Sequence, residues 1–405
     1  MQTNALGVPA WPIHGPEEAE AVQRVLASRT WWRGSGSECD LFEAEFAKFL
    51  GLRHARLTSS GSGALEIALQ LGDISPGDEV LVPACTFIAT ASAVLRMGAC
   101  PIPVDVEAET LCIDPEDLER KCTPRARAVI PVHMAGQGCE MDAIMAIARR
   151  HGLFVIEDAA HAHGARWRGS PLGGFGDVAI FSFQNGKLMT AGEGGAVVTN
   201  RDDLAERSFA LHSCGRPRGD TDYRHLEIAG NWRAPELVAA VLRAQLARLP
   251  GQLALREKRA PVFDGLLARN PRLRPLKSKP DTTLHSHYMA MAWVDADEPG
   301  CIDTADLSMQ LRRQGIPAFK CFPPVHHTRM FEPAQLRFAA LRSDFKFPDY
   351  RSLTTPVSEA AGKRVLWFHH SVLLADEAVL EKLATEVSRS LGNFVPTKNK
   401  EMVHV

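Results

Sequence analysis

What most constrains this chain is the alternation, from about residue 63 to 163, of short apolar runs with segments of helical period. ALEIALQLG has helical spacing, DEVLVP is a short apolar strand, FIATASAVLRMG is helical again and CPIPV returns to a strand. Asp114, ahead of Pro115 and Glu116, reads as an N-cap with proline in the first turn, so a short helix opens before the β-rich ARAVIPVH. MDAIMAIARRHG predicts a further helix closed by Gly152, and LFVIEDAAHAHG an apolar strand that runs out into a loop of small and polar residues. Strands alternating with helices in this way imply an α/β fold, a mainly parallel central sheet covered by helices on both faces.

Beyond residue 176 two strands, DVAIFSF and GAVVTN, flank the Gly-rich loop QNGKLMTAGEGG. Residues 234–249 and 252–269 predict two long amphipathic helices broken at Pro250-Gly251. A strand in SHYMAMAWV, a helix in TADLSMQLRRQG, a final helix in DEAVLEKLATEVSRSLG and a frayed tail, FVPTKNKEMVHV, complete the chain. The 405 residues are therefore expected to divide into a large domain over 1–250 and a smaller C-terminal α+β domain over 251–405.

Charge and cysteine usage narrow the partners. With 46 Lys+Arg against 48 Asp+Glu, the net charge of -2 supplies no cationic field for a phosphate backbone or an anionic membrane, so neither nucleic acid nor membrane is an expected partner. Small-molecule chemistry is the default. The nine cysteines are never closer than ten positions, which fits neither a zinc motif nor a dense disulfide framework and suggests a reducing compartment. The opening MQTNALGVPAWPIHGPEE lacks the charged-then-apolar order of a secretory signal, and no stretch approaches the ~18 apolar residues of a membrane span. A cytoplasmic protein is expected.

Three segments carry chemistry. In LTSSGSGALEIAL, residues 57–69, a strand end followed by Ser59-Ser60-Gly61-Ser62-Gly63 at a helix start offers backbone amides, hydroxyls and the positive end of a helix dipole, which suits a phosphate. The same residues also fit a plain serine N-cap. A dinucleotide fingerprint fails because residue 66 is Glu. Asp158, where an apolar parallel strand ends, sits at the edge at which open α/β sheets bind ligands, though a cap or an ion pair would also place it there. His161 and His163 are two apart and no HExxH occurs, so no metal is expected. Lys187, in FSFQNGKLMTAGEGG, has small and apolar neighbours; it is either a solvated loop lysine or an enclosed amine with a depressed pKa. Phosphate cradle, strand-end carboxylate and enclosed lysine together are what a pyridoxal 5'-phosphate enzyme requires.

SSGSGALE, PACTFIAT, VHMAGQ, EDAAHAHGA, FSFQNGKLMTAGEGGAVVTN and HSCGRPR, in this order and at these spacings, resemble the DegT/StrS-type sugar aminotransferases over residues 15–250 and more loosely to about 390. The resemblance implies the type I PLP-dependent aminotransferase fold. It implies that Lys187 forms the Schiff base with the cofactor and shuttles protons, that Asp158 pairs with the pyridinium nitrogen and that His161 contacts the phenolic oxygen. Phe87 would stack on the ring, and Gly61, Ser62 and Ser182 would hold the phosphate. Asn231 would reach that phosphate from a neighbouring subunit, making a homodimer with shared active sites.

Within the family, WPxxxxEE, WWR, AHAHGARW and SHYMAM are most similar to the branch acting on a cyclic keto substrate of aminodehydroshikimate type. The implied reaction there is proton abstraction, dehydration and aromatisation in antibiotic biosynthesis. The alternative is transamination of a keto-sugar or keto-cyclitol with glutamine or glutamate as amino donor. A cofactor-binding pseudo-enzyme is a third reading, against which stands the presence of Lys187. FPPVHHTRMF and RVLWFHHSVLL would face the substrate. Trp31, Trp32, Arg33, His212, Arg216, Tyr223 and His327 are further candidates for substrate contact, Arg33 and Arg216 foremost for a carboxylate or hydroxyls.

Overall fold

Seven strands form one sheet in the spatial order His54–Thr58, Gly195–Thr199, Val178–Ser182, Phe154–Asp158, Ala126–Val129, Glu79–Pro83 and Cys100–Val104. All but Gly195–Thr199 run in one direction. This is a computed structural model, and it describes residues 2–295, 303–336 and 347–393. The uniformly apolar strands have their expected explanation: Val80, Val82, Ile156 and Ile180 enter one core cluster while Leu81, Val155, Ala179 and Phe181 enter another, so each strand is buried on both faces.

Local signals end the covering helices where the residues say they should. Asp114 accepts a hydrogen bond from the Glu116 amide at the start of Pro115–Lys121. Gly152, at φ +64°, closes Met141–His151 in the left-handed conformation that a Cβ would strain.

The expected break at Pro250-Gly251 does not occur. One helix runs continuously from Glu236 to Leu267 with Pro250 and Pro261 inside it. Pro250 is exposed, so water can satisfy the carbonyl that its missing N–H leaves free, while Leu246, Leu249 and Leu253 stay buried on both sides of it. Ion pairs from Arg243 to Glu38 and Glu45, and from Arg248 to Glu18, pin the first half of this helix to the two N-terminal helices, Pro16–Ser28 and Glu38–Leu50.

Its second half joins a different core. Phe263, Leu266 and Leu267 pack with Leu307, Leu366, Phe368, Leu380 and Leu383, beneath an antiparallel sheet ordered Leu273–Pro275, Met289–Val294, Val365–His369, Ala318–Lys320. The helices expected in TADLSMQLRRQG and near the C-terminus span Thr304–Arg313 and Glu377–Gly392. The tail expected to fray, from residue 394 onward, lies outside the described residues, as does Cys301. The eight other cysteines are free thiols. Among the described residues no helix is long and apolar enough to cross a membrane.

Candidate active site

Loops leaving the C-terminal ends of the parallel strands converge on a cavity of about 350 Å3. Seven of the eight expected site residues line it: Gly61, Ser62, Phe87, Asp158, His161, Ser182 and Lys187. The eighth, Asn231, lies outside it, exposed and in an isolated β-bridge with Ser213.

The helix Gly61–Leu71 starts at the cavity edge. Ser60 is its N-cap and accepts from the Gly63 amide at 3.0 Å, so the cap reading is realised, and the same helix start borders the cavity. The amides of Gly61 and Ser62, in the first turn, have no carbonyl within the helix to donate to. Ser182 closes the other side so tightly that a Cβ on Gly61 would come within 2.8 Å of the Ser182 Cβ. A Cβ on Gly195 would collide with the backbone of Ser60 and Gly61.

Asp158 ends its strand only 6% exposed. One carboxylate oxygen accepts from Thr90 Oγ1 at 2.9 Å, the other from the Ala160 amide at 3.2 Å. Burial raises its pKa, and the Thr90 hydroxyl, the Ala160 amide and the charge of Lys187 work against that rise. Lys187 is half-buried; burial pushes its pKa down to about 8, against the pull of Asp158. Its Nζ sits 4.6 Å from the centre of the Tyr288 ring. Tyr288 in turn stacks on His161 with centroids 4.1 Å apart. Burial first, then the nearby Lys187, hold His161 neutral, and its buried Nδ1 has no hydrogen-bond partner.

These features fit pyridoxal phosphate. An anion fits the helix start, a cationic ring nitrogen fits Asp158, an aldehyde fits Lys187, and a ring oxygen would partner the orphaned His161 nitrogen. Phe87, 54% exposed, is no core residue; it stands at the cavity with its ring edge toward Phe322, centroids 6.2 Å apart.

The substrate-contact candidates fare differently. Arg33 is buried and bidentate to Glu43 at 2.6 and 2.9 Å, with Asp40 at 3.1 Å, so its donors are committed to a structural ion pair and cannot anchor a substrate. Arg216 donates to Asp220 and lies over Tyr223. His212 is fully buried, and neither these residues nor Trp31, Trp32 and His327 line the cavity. Phe322 and Trp367 do line it, from the two stretches expected to face the substrate. Thr90, Tyr288 and Glu193 escaped the sequence reading. SHYMAM marks the Tyr288 segment as a strand and as part of the family resemblance without singling out Tyr288, and nothing local marks Thr90 as the partner of a carboxylate 68 positions away.

A family model described as the DegT/DnrJ/EryC1/StrS aminotransferase family matches residues 12–385. The chain is 41% identical to the 3-amino-5-hydroxybenzoate synthase of Amycolatopsis mediterranei over 94% of this chain and 98% of that protein. It is 36% identical to the L-glutamine:2-deoxy-scyllo-inosose aminotransferase of Streptoalloteichus tenebrarius, over 95% and 94%. The crystal structure of a 3-amino-5-hydroxybenzoic acid (AHBA) synthase superposes with a TM-score of 0.89 at 40% identity, covering 96% of this chain and all of that one. An aminotransferase from Psychrobacter cryohalolentis superposes with 0.85 at 31% identity, over 95% and 99%. The chain therefore belongs to the DegT/DnrJ/EryC1/StrS aminotransferase family, as a pyridoxal 5'-phosphate enzyme of the type I aminotransferase fold.

Proposed function

We propose that this enzyme abstracts a proton from a cyclic keto substrate of aminodehydroshikimate type and aromatises it with loss of water. The observation that carries this reading is a weakly basic amine, Lys187 Nζ, in a cavity bordered by Phe87, Phe322, Trp367 and Tyr288, walls that suit a flat ring. Similarity to an AHBA synthase along nearly the whole chain supports it.

Pyridoxal phosphate, when bound, supplies an aldehyde for amines and an electron-withdrawing ring. The Gly61 and Ser62 amides and the Ser62 and Ser182 hydroxyls would hold its phosphate. Asp158 would keep a proton on the ring nitrogen, and His161 would meet the ring oxygen. Lys187 Nζ would take the proton from the substrate carbon and give it to the departing ring hydroxyl, which leaves as water, a task for which a pKa of about 8 is suited at neutral pH.

A second reading is transamination of a keto-cyclitol with glutamine as donor, favoured by several relatives named L-glutamine:2-deoxy-scyllo-inosose aminotransferase that match over 93–95% of this chain. Incubation with an aminodehydroshikimate, and separately with a keto-cyclitol plus glutamine, followed by mass spectrometry, distinguishes them. An aromatic product 18 mass units lighter supports the first, by the loss of one water (~18 Da); an amine appearing only with glutamine supports the second.

Asn231 is proposed to serve a partner's phosphate within a homodimer. Supporting this are exposed apolar side chains on its own loop, Tyr223, Leu226 and Ile228, and on Trp31 and Trp32. The two segments meet where Arg33 and Arg218 both pair with Asp40. Mixing Lys187→Ala with Asn231→Ala subunits at limiting cofactor should restore some activity, because one of the two composite sites in each heterodimer would then have both residues while the other lacks both.

A further inference from the structure

Lys187 is carried by a turn that has little burial of its own, since Gln184 and Asn185 are exposed. Within the turn, the Lys187 amide donates to the Gln184 carbonyl at 2.8 Å and the Gly186 amide donates to Gln184 Oε1 at 2.8 Å. The two carbonyls just before Lys187 are taken by groups from elsewhere in the chain. Trp11 Nε1 donates to the Asn185 carbonyl at 2.7 Å, and His370 Nε2 lies 3.2 Å from the Gly186 carbonyl. The two rings touch edge to face with centroids 4.4 Å apart.

Behind them stands Arg256, fully buried on the long helix. Its Nη2 is 3.0 Å from His370 Nδ1, and its guanidinium carbon is 5.8 Å from the centre of the Trp11 ring. Its Nε and Nη1 have no hydrogen-bond partner, and burial alone pushes its pKa down to about 9, so it is still a cation at neutral pH. A guanidinium can only donate, so His370 Nδ1 must accept. The single proton of the neutral imidazole is thereby assigned to Nε2, the atom that faces the Gly186 carbonyl. Burying a cation with so few partners works against stability, and an apolar side chain would pack there at less cost.

We propose that Trp11, His370 and Arg256 form a clamp that positions the Gln184–Lys187 turn, with Arg256 acting through His370 by holding its proton on Nε2. All three are positioning residues; none lines the cavity. The inference rests on Lys187 being the reacting lysine, and nothing in the proposed function assigns these three a role.

The test uses the cofactor-loaded enzyme and four variants: His370→Phe, His370→Gln, Arg256→Met and Arg256→Lys. Borohydride reduction and peptide mapping of the parent enzyme come first. A label on any lysine other than Lys187 removes the reading on which the clamp rests, whereas the variants test the clamp itself. Two readouts are compared with the melting temperature: kcat against KM, and the rate at which hydroxylamine releases the cofactor. His370→Phe should lower kcat by about 10- to 100-fold with KM within about twofold, the scale expected for a misplaced reacting group. It should also speed release by hydroxylamine severalfold. His370→Gln, whose amide can still both accept and donate, should recover most of both. Arg256→Met should resemble His370→Phe, Arg256→Lys should lie nearer the parent, and Arg256→Met combined with His370→Phe should be no worse than His370→Phe alone. Parent-like kcat and release in His370→Phe, or losses in all four variants that simply follow the melting temperature, would overturn the clamp.

Discussion

The floor of the cavity comes from loops leaving the parallel seven-stranded sheet, whereas Phe322 and Trp367 in its outer wall come from the antiparallel four-stranded sheet and the loop beside it. The two regions hold their side chains differently. On the floor Asp158, His161 and Ser182 are buried, and Asp158 is fixed by a hydroxyl and an amide. Apart from the buried Tyr288, the wall rings are half-buried or exposed: Trp367 stacks on Phe319 at 4.5 Å and donates through Nε1 to the Lys320 carbonyl, while Phe322 meets edge to face with Phe87, which the loop after Glu79–Pro83 adds from the parallel sheet. Proton chemistry demands a desolvated, over-determined floor, because charge positions and pKa values there set the rate. Ring recognition demands apolar area, which tolerates adjustment.

That contrast is broken most severely at Lys187. Lys187→Ala should keep its fold by circular dichroism and lose turnover by on the order of 10³-fold or more. Residual activity near the parent level would show that another base operates. Asp158→Asn should still bind cofactor yet lose about 10²- to 10³-fold in kcat, since a neutral partner no longer favours a proton on the ring nitrogen. Near-normal kcat in stopped-flow assays would remove Asp158 from that role.

Loading of the apoprotein gives the pH signature of the floor. Only the neutral amine attacks an aldehyde, and Lys187 titrates near 8, so the rate should rise about tenfold per pH unit well below that value and level off above it. A flat profile from pH 6 to 9 contradicts the depressed pKa. Gly61→Ala tests the cradle sterically: the added methyl presses on Ser182 Cβ, and cofactor affinity in a titration should fall by about tenfold.

The wall should respond least. Trp367→Leu and Phe322→Leu are expected to raise KM by about 2- to 10-fold with kcat nearly unchanged. A kcat loss as deep as that of Asp158→Asn would mean that wall and floor are not functionally separate.

Legibility from sequence followed the same division. That the helix start at Gly61, Asp158 and Lys187 border one cavity is legible because each is placed by a local event: a helix start, a strand end, a glycine-rich loop. The helix break that the sequence predicts at Pro250-Gly251 fails because the flanking leucines are buried on one continuous stripe while Pro250 faces water. The structural role of Arg33 is not legible in the sequence because its committed partner, Glu43, is no more visible in the chain than any other carboxylate.

By itself, then, the sequence determined the parallel sheet, the cofactor and the residues at its strand ends, since apolar periodicity and short motifs act over distances of a few residues. Only the tertiary structure decided that Thr90 supports Asp158, that Tyr288 lies beside both Lys187 and His161, and that Trp11, Arg256 and His370 meet behind Lys187. Those contacts join positions as many as 174 to 184 residues apart, and no local rule of spacing or propensity ties together groups that burial alone brings into hydrogen-bonding range.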